Sequence, residues 1–302
     1  MKEVVSPKRW AIEISQVLNQ VLGPDHFPIN VEQVAKEYSR QRFPDDPITL
    51  VSGDVLPRFD GALLRSPSGQ NGWGIIYNKA IRSPGRINFT LAHEFGHYLL
   101  HRLTYPTGLR CGEQDVVRWD SEYGQVEYQA NVFASYLLMP LDDFRRQIDP
   151  RAEVTLDLLG SCAKRYSVSL IAATLKWLEY TERRAIIVIS RDDFILWARS
   201  SGPALKTGAY FRTSRGPIPV PTKSLAAQGV GEEPMIELEP GVWFKDEPCR
   251  EMAVLSEQYE FTISLLLLRP TAVASGFSRE REQDDEGDDD LLDRIKKNHG
   301  LD

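Results

Sequence analysis

Apolar positions recur at helical spacing in some stretches of this chain and crowd into short extended runs in others, so elements can be placed before any chemistry is considered. Trp10 to Leu22 has helical periodicity and ends near Gly23-Pro24, and Val31 to Tyr38 predicts a second, short helix. Gly61-Ala62-Leu63-Leu64 and Trp73-Gly74-Ile75-Ile76-Tyr77 read as extended pieces, separated by the turn formers Pro67, Ser68, Gly69, Asn71 and Gly72. Together they predict a hairpin leading into a helix. That helix is carried by the apolar run from Phe89 to Leu100, with Ser83-Pro84-Gly85 as its start signal. Glu127 through Met139 predicts another amphipathic helix, stopped by Pro140. Its stripe of Ala130, Phe133, Ala134, Leu137 and Leu138 has Glu127 at the N-terminal end.

Further on, Leu156 to Tyr166, Ser167-Val168-Ser169 and Leu170 to Tyr180 read as helix, short turn, helix. The pattern changes after Arg184. Ala185 to Ile189 and Phe194 to Trp197 flank a charged Arg191-Asp192-Asp193 turn, and Met235 to Leu238, Val242-Trp243-Phe244 and Glu251 to Leu268 also look extended. The segment Thr104 to Tyr123, with Pro106, Gly108 and Gly112, reads as a loop. Such a loop either shapes a cleft or makes an ordinary surface connection. The fold class expected is α+β: a helical and stranded domain over 1–145, a helix-turn-helix-like extension over 146–184, and a strand-rich domain over 185–275. An acidic, disordered tail is expected over 276–302.

Composition narrows the class. At 302 residues and 42% hydrophobic content the chain can hold two domains with real cores. No basic-then-apolar leader pattern opens it, and the apolar stretch Ile263 to Leu268, interrupted by Ser264, is far too short to cross a membrane. Cys111, Cys162 and Cys249 are widely spaced and lack zinc-site spacing, which fits reduced thiols and a cytoplasmic location. The net charge is −7, and the tail from Arg279, with ten acids against five bases, supplies most of it. Lys164, Arg165, Lys176, Arg183 and Arg184 could contact phosphates if the helical pair bound DNA. Glu179, Glu182 and the overall charge oppose that, so packing or protein docking is the favoured expectation.

The candidate chemistry lies in His93-Glu94-Phe95-Gly96-His97. On a helix, two histidines four positions apart lie about 6 Å apart along the axis, close enough to share one metal ion. Glu94 follows the first ligand directly, which turns its carboxylate toward the water in the open coordination position. Zinc lowers the pKa of such a water to about 7, and a neighbouring carboxylate can take its proton as it attacks a carbonyl. Peptide bond hydrolysis is the outcome expected. His101, about 12 Å from His93 along a continuous helix, is left outside the ligand set and is expected to face the last carbonyls or a neighbour.

Glu127 is the best candidate for a third protein ligand, with Glu122 as its rival. A carboxylate on the packed face of a helix is costly unless a charge meets it, while the bland alternative is a first-turn acid favoured by the helix dipole. Small Ala130 and Ala134 would let the two helices approach closely, and Asn131 could hold a ligand histidine by its second nitrogen. Tyr123, Tyr128 and Tyr136 could each supply a hydroxyl to an oxyanion, although such tyrosines more often pack. The second hairpin strand would either hold an extended peptide by main-chain bonds or only cover the site.

With these motifs in view, the sequence resembles the ImmA/IrrE metallo-endopeptidases over roughly residues 25 to 180. The resemblance rests on Gly61-Ala62-Leu63, on Phe89 through His97 with Leu99-Leu100-His101, and on Glu127 through Pro140. It implies a zincin-like domain in which His93, His97 and Glu127 bind Zn2+ and Glu94 is the catalytic base. It also implies a helical extension like that of the family. Members typically cleave a helix-turn-helix repressor, often of the XRE type, and some carry a GAF-like sensing domain after the peptidase. For residues 185–275, a role in substrate recognition or dimer formation is as plausible as sensing. The reading from a different class is a zinc-containing regulatory or ligand-sensing protein that binds without cutting.

Overall fold

The computed structural model describes residues 6–56, 59–67, 71–111, 122–229, 235–257 and 259–270. The architecture is α+β, and the chain divides into two compact units. The first takes residues up to Asp143 together with Ala163–Ser169, and the second takes Phe144–Cys162 and the chain from Leu170 onward. The expected turn residues Ser68 and Gly69, the segment 112–121 with Gly112, and the acidic tail 276–302 lie outside the described residues.

In the first unit, helix α1 (Pro7–Leu22) starts on Ser6, whose hydroxyl accepts from the Arg9 amide, and ends at Gly23 with φ 81°. Helix α2 (Val31–Arg42) is capped in the same way by Asn30 and runs one turn beyond the apolar pattern, closing on Arg40 and Arg42, which suit a helix C-terminus. Strand β1 (Ile48–Asp54) follows and was not expected from the sequence. Its central residues are half or fully exposed, so it lacks clean alternation. Strands β2 (Gly61–Arg65) and β3 (Trp73–Asn78) form the antiparallel hairpin expected.

The sheet order, with β4 (Gly108–Cys111) as the last strand, is β1-β3-β2-β4. Strand β3 pairs with β1 on one side and β2 on the other, so its main-chain groups are already taken. It cannot bind an extended peptide by strand addition, and the covering role is the one it has. The expected loop from Thr104 likewise contains β4. At its start Gly108 has φ 112° and comes so close to the Leu63 carbonyl that a side chain there could not fit.

Helix α3 (Pro84–His101) is capped by Ser83 and opened by Pro84, as expected. Its far end is clamped: Arg102 Nη1 donates to the Tyr98 carbonyl at 2.9 Å, and the guanidinium lies 3.9 Å from the Phe43 ring centroid. The Tyr98 hydroxyl donates to the Asp46 carbonyl at 2.7 Å, which ties the helix to the turn between α2 and β1. Helix α4 (Glu122–Leu138) starts a full turn before Glu127, which corrects the expectation that this acid stands at the helix start. Helices α3 and α4 pack directly, with Phe95 and Phe133 edge to face at 5.5 Å. A Cβ on Gly96 would stand 3.0 Å from Phe133 and 3.3 Å from the Ala130 backbone, so glycine sets how closely the helices approach.

Helices α5 (Leu141–Gln147) and α6 (Leu156–Tyr166) each cross from one unit to the other along the chain. Ser167, with φ 52°, ends α6, and α7 (Leu170–Leu178) follows as expected. The second unit is built on an antiparallel sheet of order β7-β6-β5-β10-β9-β8: β5 (Ala185–Arg191), β6 (Phe194–Ser200), β7 (Ile218–Pro219), β8 (Ile236–Leu238), β9 (Cys249–Ser256) and β10 (Phe261–Leu268). Short helices α8 (Gly202–Lys206) and α9 (Leu225–Gln228) lie in the connections. The β5–β6 turn is Asp192-Asp193, both at positive φ, the primed geometry that matches strand twist. Ile186 and Val188 enter one core, while Ile187 and Ile189 are equally buried on the other face, where continuous apolar runs replace alternation.

Val242-Trp243-Phe244 is not a strand. After Pro240, Gly241 has φ 92° and its amide donates to the Phe244 carbonyl at 2.7 Å, so the residues turn back and send Trp243 into the core. There the indole donates to Glu251, a fully buried carboxylate that also accepts from the Leu225 and Ala226 amides and from Ser264.

Candidate functional site

Helix α3 brings His93 and His97 onto the face that meets α4, one turn apart, and their Nε2 atoms stand 2.9 Å from each other. From α4, Glu127 reaches both: Oε2 lies 3.2 Å from His93 Nε2 and Oε1 lies 3.3 Å from His97 Nε2. One donor atom from each of the three residues lies within 4.8 Å of the others. Ligands placed tetrahedrally at 2.0–2.1 Å from a zinc ion would be about 3.3 Å apart, so the donor set fits such an ion in chemistry and in spacing. Asn131, one turn beyond Glu127, places Oδ1 at 2.9 Å from His93 Nδ1.

Electrostatics keep these groups in the form a cation needs. Burial pushes His97 down to about 4, with His93 acting in the same direction and Glu127 opposing it, so the ring is neutral near pH 7. Burial alone would raise Glu127, but the adjoining His93 and His97 rings more than offset it and hold the carboxyl below its ordinary range. A neutral His97 beside an ionised Glu127 is the pairing a divalent ion requires of those two groups.

Glu94 is fully buried beside His93 on the same helix. Strand β2 closes over it at Gly61, where a Cβ would come 2.7 Å from Glu94 Oε1 and 2.5 Å from Thr90 Cγ2. The Gly61-Ala62-Leu63 motif therefore has a spatial reason: any side chain at Gly61 would have to push the Glu94 and Thr90 side chains aside. His101 turns out to face two neighbours, with Nδ1 3.0 Å from His97 Nδ1 and Nε2 3.1 Å from Gln129 Oε1. Sequence reasoning passed over Gln129, although its place between Glu127 and Asn131 was a signal.

Tyr128 is 41% exposed, and the Lys8 ammonium sits 4.9 Å from the Tyr136 ring centroid. Among the basic residues of the helical pair, Lys176 is buried against Glu179, Arg184 is buried against Glu247, and Arg165 is bound to Asp143 and Asp25. The buried Lys176 and Arg184 are not presented to a phosphate backbone, whereas Lys164 is exposed. Cys249 is a buried thiol pushed up to about 12 by that burial, which suits a packed and unreactive residue. No helix among the described residues is long and apolar enough to cross a membrane.

Comparison with known families gives one match: residues 55–178 fit the model of the IrrE N-terminal-like domain of peptidase M78. The matched segment contains the three converging residues, Glu94 and Gly61. No curated protein matches the chain.

Proposed function

We propose that the protein is a zinc-dependent endopeptidase that cuts a helix-turn-helix repressor of the XRE type in the cytoplasm, a reading supported by the match of residues 55–178 to the IrrE N-terminal-like domain of peptidase M78. The observation that carries the reading is the convergence of His93, His97 and Glu127 beside a buried Glu94. The first three would hold the ion. A Zn2+ ion bound there supplies Lewis acidity, enough to let water ionise near neutral pH.

The chain's own groups supply the rest. In this reading Glu94 would take the proton of an attacking water and return it to the departing amine, a role worth about 10²–10⁴ in rate. Its burial under Gly61 shields that carboxylate from bulk solvent and leaves it little freedom to turn. Support for the repressor as substrate comes from the ImmA/IrrE character of the domain, since members of that family typically act on such proteins. Cleavage there would release a stress or mobile-element programme.

The test is to incubate the full chain with helix-turn-helix repressors, with and without a chelator. Glu94→Gln should keep its zinc and lose cleavage by at least about 100-fold, whereas His93→Ala should lose both. Fragments that persist with Glu94→Gln would remove the mechanism. A stable complex that never yields fragments would favour the non-cutting regulator.

A further inference from the structure

The convergence of three donors does not explain what makes His97 able to donate. A neutral imidazole carries a lone pair on one nitrogen only, because its proton sits on the other. For His93 the choice is made by Asn131, whose amide oxygen at 2.9 Å accepts from Nδ1 and leaves Nε2 bare. His97 has no such carbonyl at its Nδ1. It faces another imidazole nitrogen, Nδ1 of His101 at 3.0 Å, and two such nitrogens at that distance hold one proton between them. Which ring keeps it is decided one residue further out, where His101 Nε2 lies 3.1 Å from Gln129 Oε1, an oxygen that only accepts.

With Gln129 Oε1 turned toward His101, the hydrogens have one consistent arrangement. His101 Nε2–H donates to Gln129, so His101 Nδ1 carries a lone pair. That lone pair accepts from His97 Nδ1–H, and His97 Nε2 is left bare beside Glu127. We infer that His101 and Gln129 are positioning residues that fix the tautomer of His97 through this relay and so make it a metal ligand. The inference rests on the reading that His93, His97 and Glu127 hold a divalent cation. With the opposite arrangement, His97 would point an N–H at Glu127 and could not ligate. Packing alone does not account for the pair. His101 is 6% exposed, and an apolar side chain would fill its place without the cost of burying a ring nitrogen.

The test uses the metal-free full-length chain, titrated with Zn2+. His101→Leu should weaken binding by about 10–100-fold, the usual effect of losing a partner of a ligand histidine. Gln129→Leu should fall between that variant and the parent. His101→Asn should recover most of the affinity, because its Oδ1 occupies nearly the place of the lost Nδ1 and accepts the same hydrogen bond. A structural role alone would not be rescued in this way. With only five histidines in the chain, 15N-labelled histidine gives a direct view of ring protonation. His97 should be the Nδ1–H tautomer in the parent and in His101→Asn, and should shift toward Nε2–H in His101→Leu. Unchanged affinity in His101→Leu, no rescue by asparagine, or an Nε2–H His97 in the parent would each overturn the relay. If the parent and Glu127→Ala both fail to take up Zn2+, the cation reading falls instead, and the ring spectra still decide the relay.

Discussion

Glu251 and Glu127 are both carboxylates inside the protein, and they are met in opposite ways. Glu251 receives four hydrogen bonds from its own unit: two amides at the start of α9, the Trp243 indole and the Ser264 hydroxyl, all between 2.9 and 3.2 Å. Every lone-pair direction is used by the chain, so the group is a fastening that holds the segment after β7 onto β9 and β10. Glu127 instead meets the Nε2 atoms of two histidines at 3.2 and 3.3 Å, and in the relay inferred above each ring turns its N–H away from it, toward Asn131 or His101. Three Lewis bases converging in this way are compatible with a bound metal ion, as proposed above. A buried carboxylate saturated by donors belongs to the fold, and one facing other bases belongs to a ligand.

The strongest way to break this comparison is to neutralise each acid in turn. Glu251→Gln leaves two donors facing an amide NH2, and its unfolding free energy should fall by about 3 kcal/mol, with or without Zn2+. The increment that Zn2+ adds to stability should survive. Glu127→Gln should do the reverse, losing the increment, which for the parent is about 2.7 kcal/mol at a hundredfold excess over Kd. Urea unfolding of both variants, with and without Zn2+, reads all four values. If Glu251→Gln lost the zinc increment, or Glu127→Gln kept it, the two carboxylates would not be the different devices described.

Acid should find the same difference. His97 titrates at about 4 in the folded chain against an ordinary 6.5. Its neutral form is therefore favoured by folding, and the contribution is complete above pH 6.5 and lost as pH falls through 4. The slope of metal-free stability over that window should amount to about 3 kcal/mol. The depressed Glu127 acts with the same sign at lower pH, because protonation again opposes the folded form. Removing the imidazole in His97→Gln should reduce the slope between 6.5 and 4, leaving the part that His101, also lowered by burial, contributes. A curve that keeps its slope would place the titration elsewhere.

What could be seen in the sequence follows the same division. The H-E-x-x-H spacing, the apolar stripe of α4 and the pair Glu127 and Asn131 are local patterns on two helices, and helical periodicity carries them into space almost unaided. The β5–β6 hairpin was visible for a similar reason, since a two-residue charged turn between apolar runs allows few geometries. Strand β1 was hidden because its half-exposed residues give no alternation, and β4 because Gly108 reads as a loop until a neighbouring strand explains it. The relay through His101 and Gln129 depends on how two helices face each other, which no spacing on either one reveals. Pattern also misplaced Val242 to Phe244, where a Pro-Gly turn outweighs the strand propensity of three large residues.

The smallest effect expected concerns the seam that brings the two halves of the site together. Gly96 costs α3 up to about 1 kcal/mol in helix propensity relative to alanine, so Gly96→Ala would stabilise an isolated helix. Here the new methyl would stand 3.0 Å from Phe133 and 3.3 Å from the Ala130 backbone, and a backbone atom in a packed helix cannot move aside as a side-chain tip can. The two effects oppose each other. Overpacking should win, leaving a net loss of about 1 kcal/mol in metal-free stability. The same separation of α3 from α4 would carry Glu127 away from His93 and His97, so Zn2+ affinity should fall further than stability does. Comparing Gly96→Ala by urea unfolding and by Zn2+ titration checks both. A variant that is less stable yet binds Zn2+ as the parent does would show that the site tolerates a wider helix spacing than its 2.9–3.3 Å contacts require.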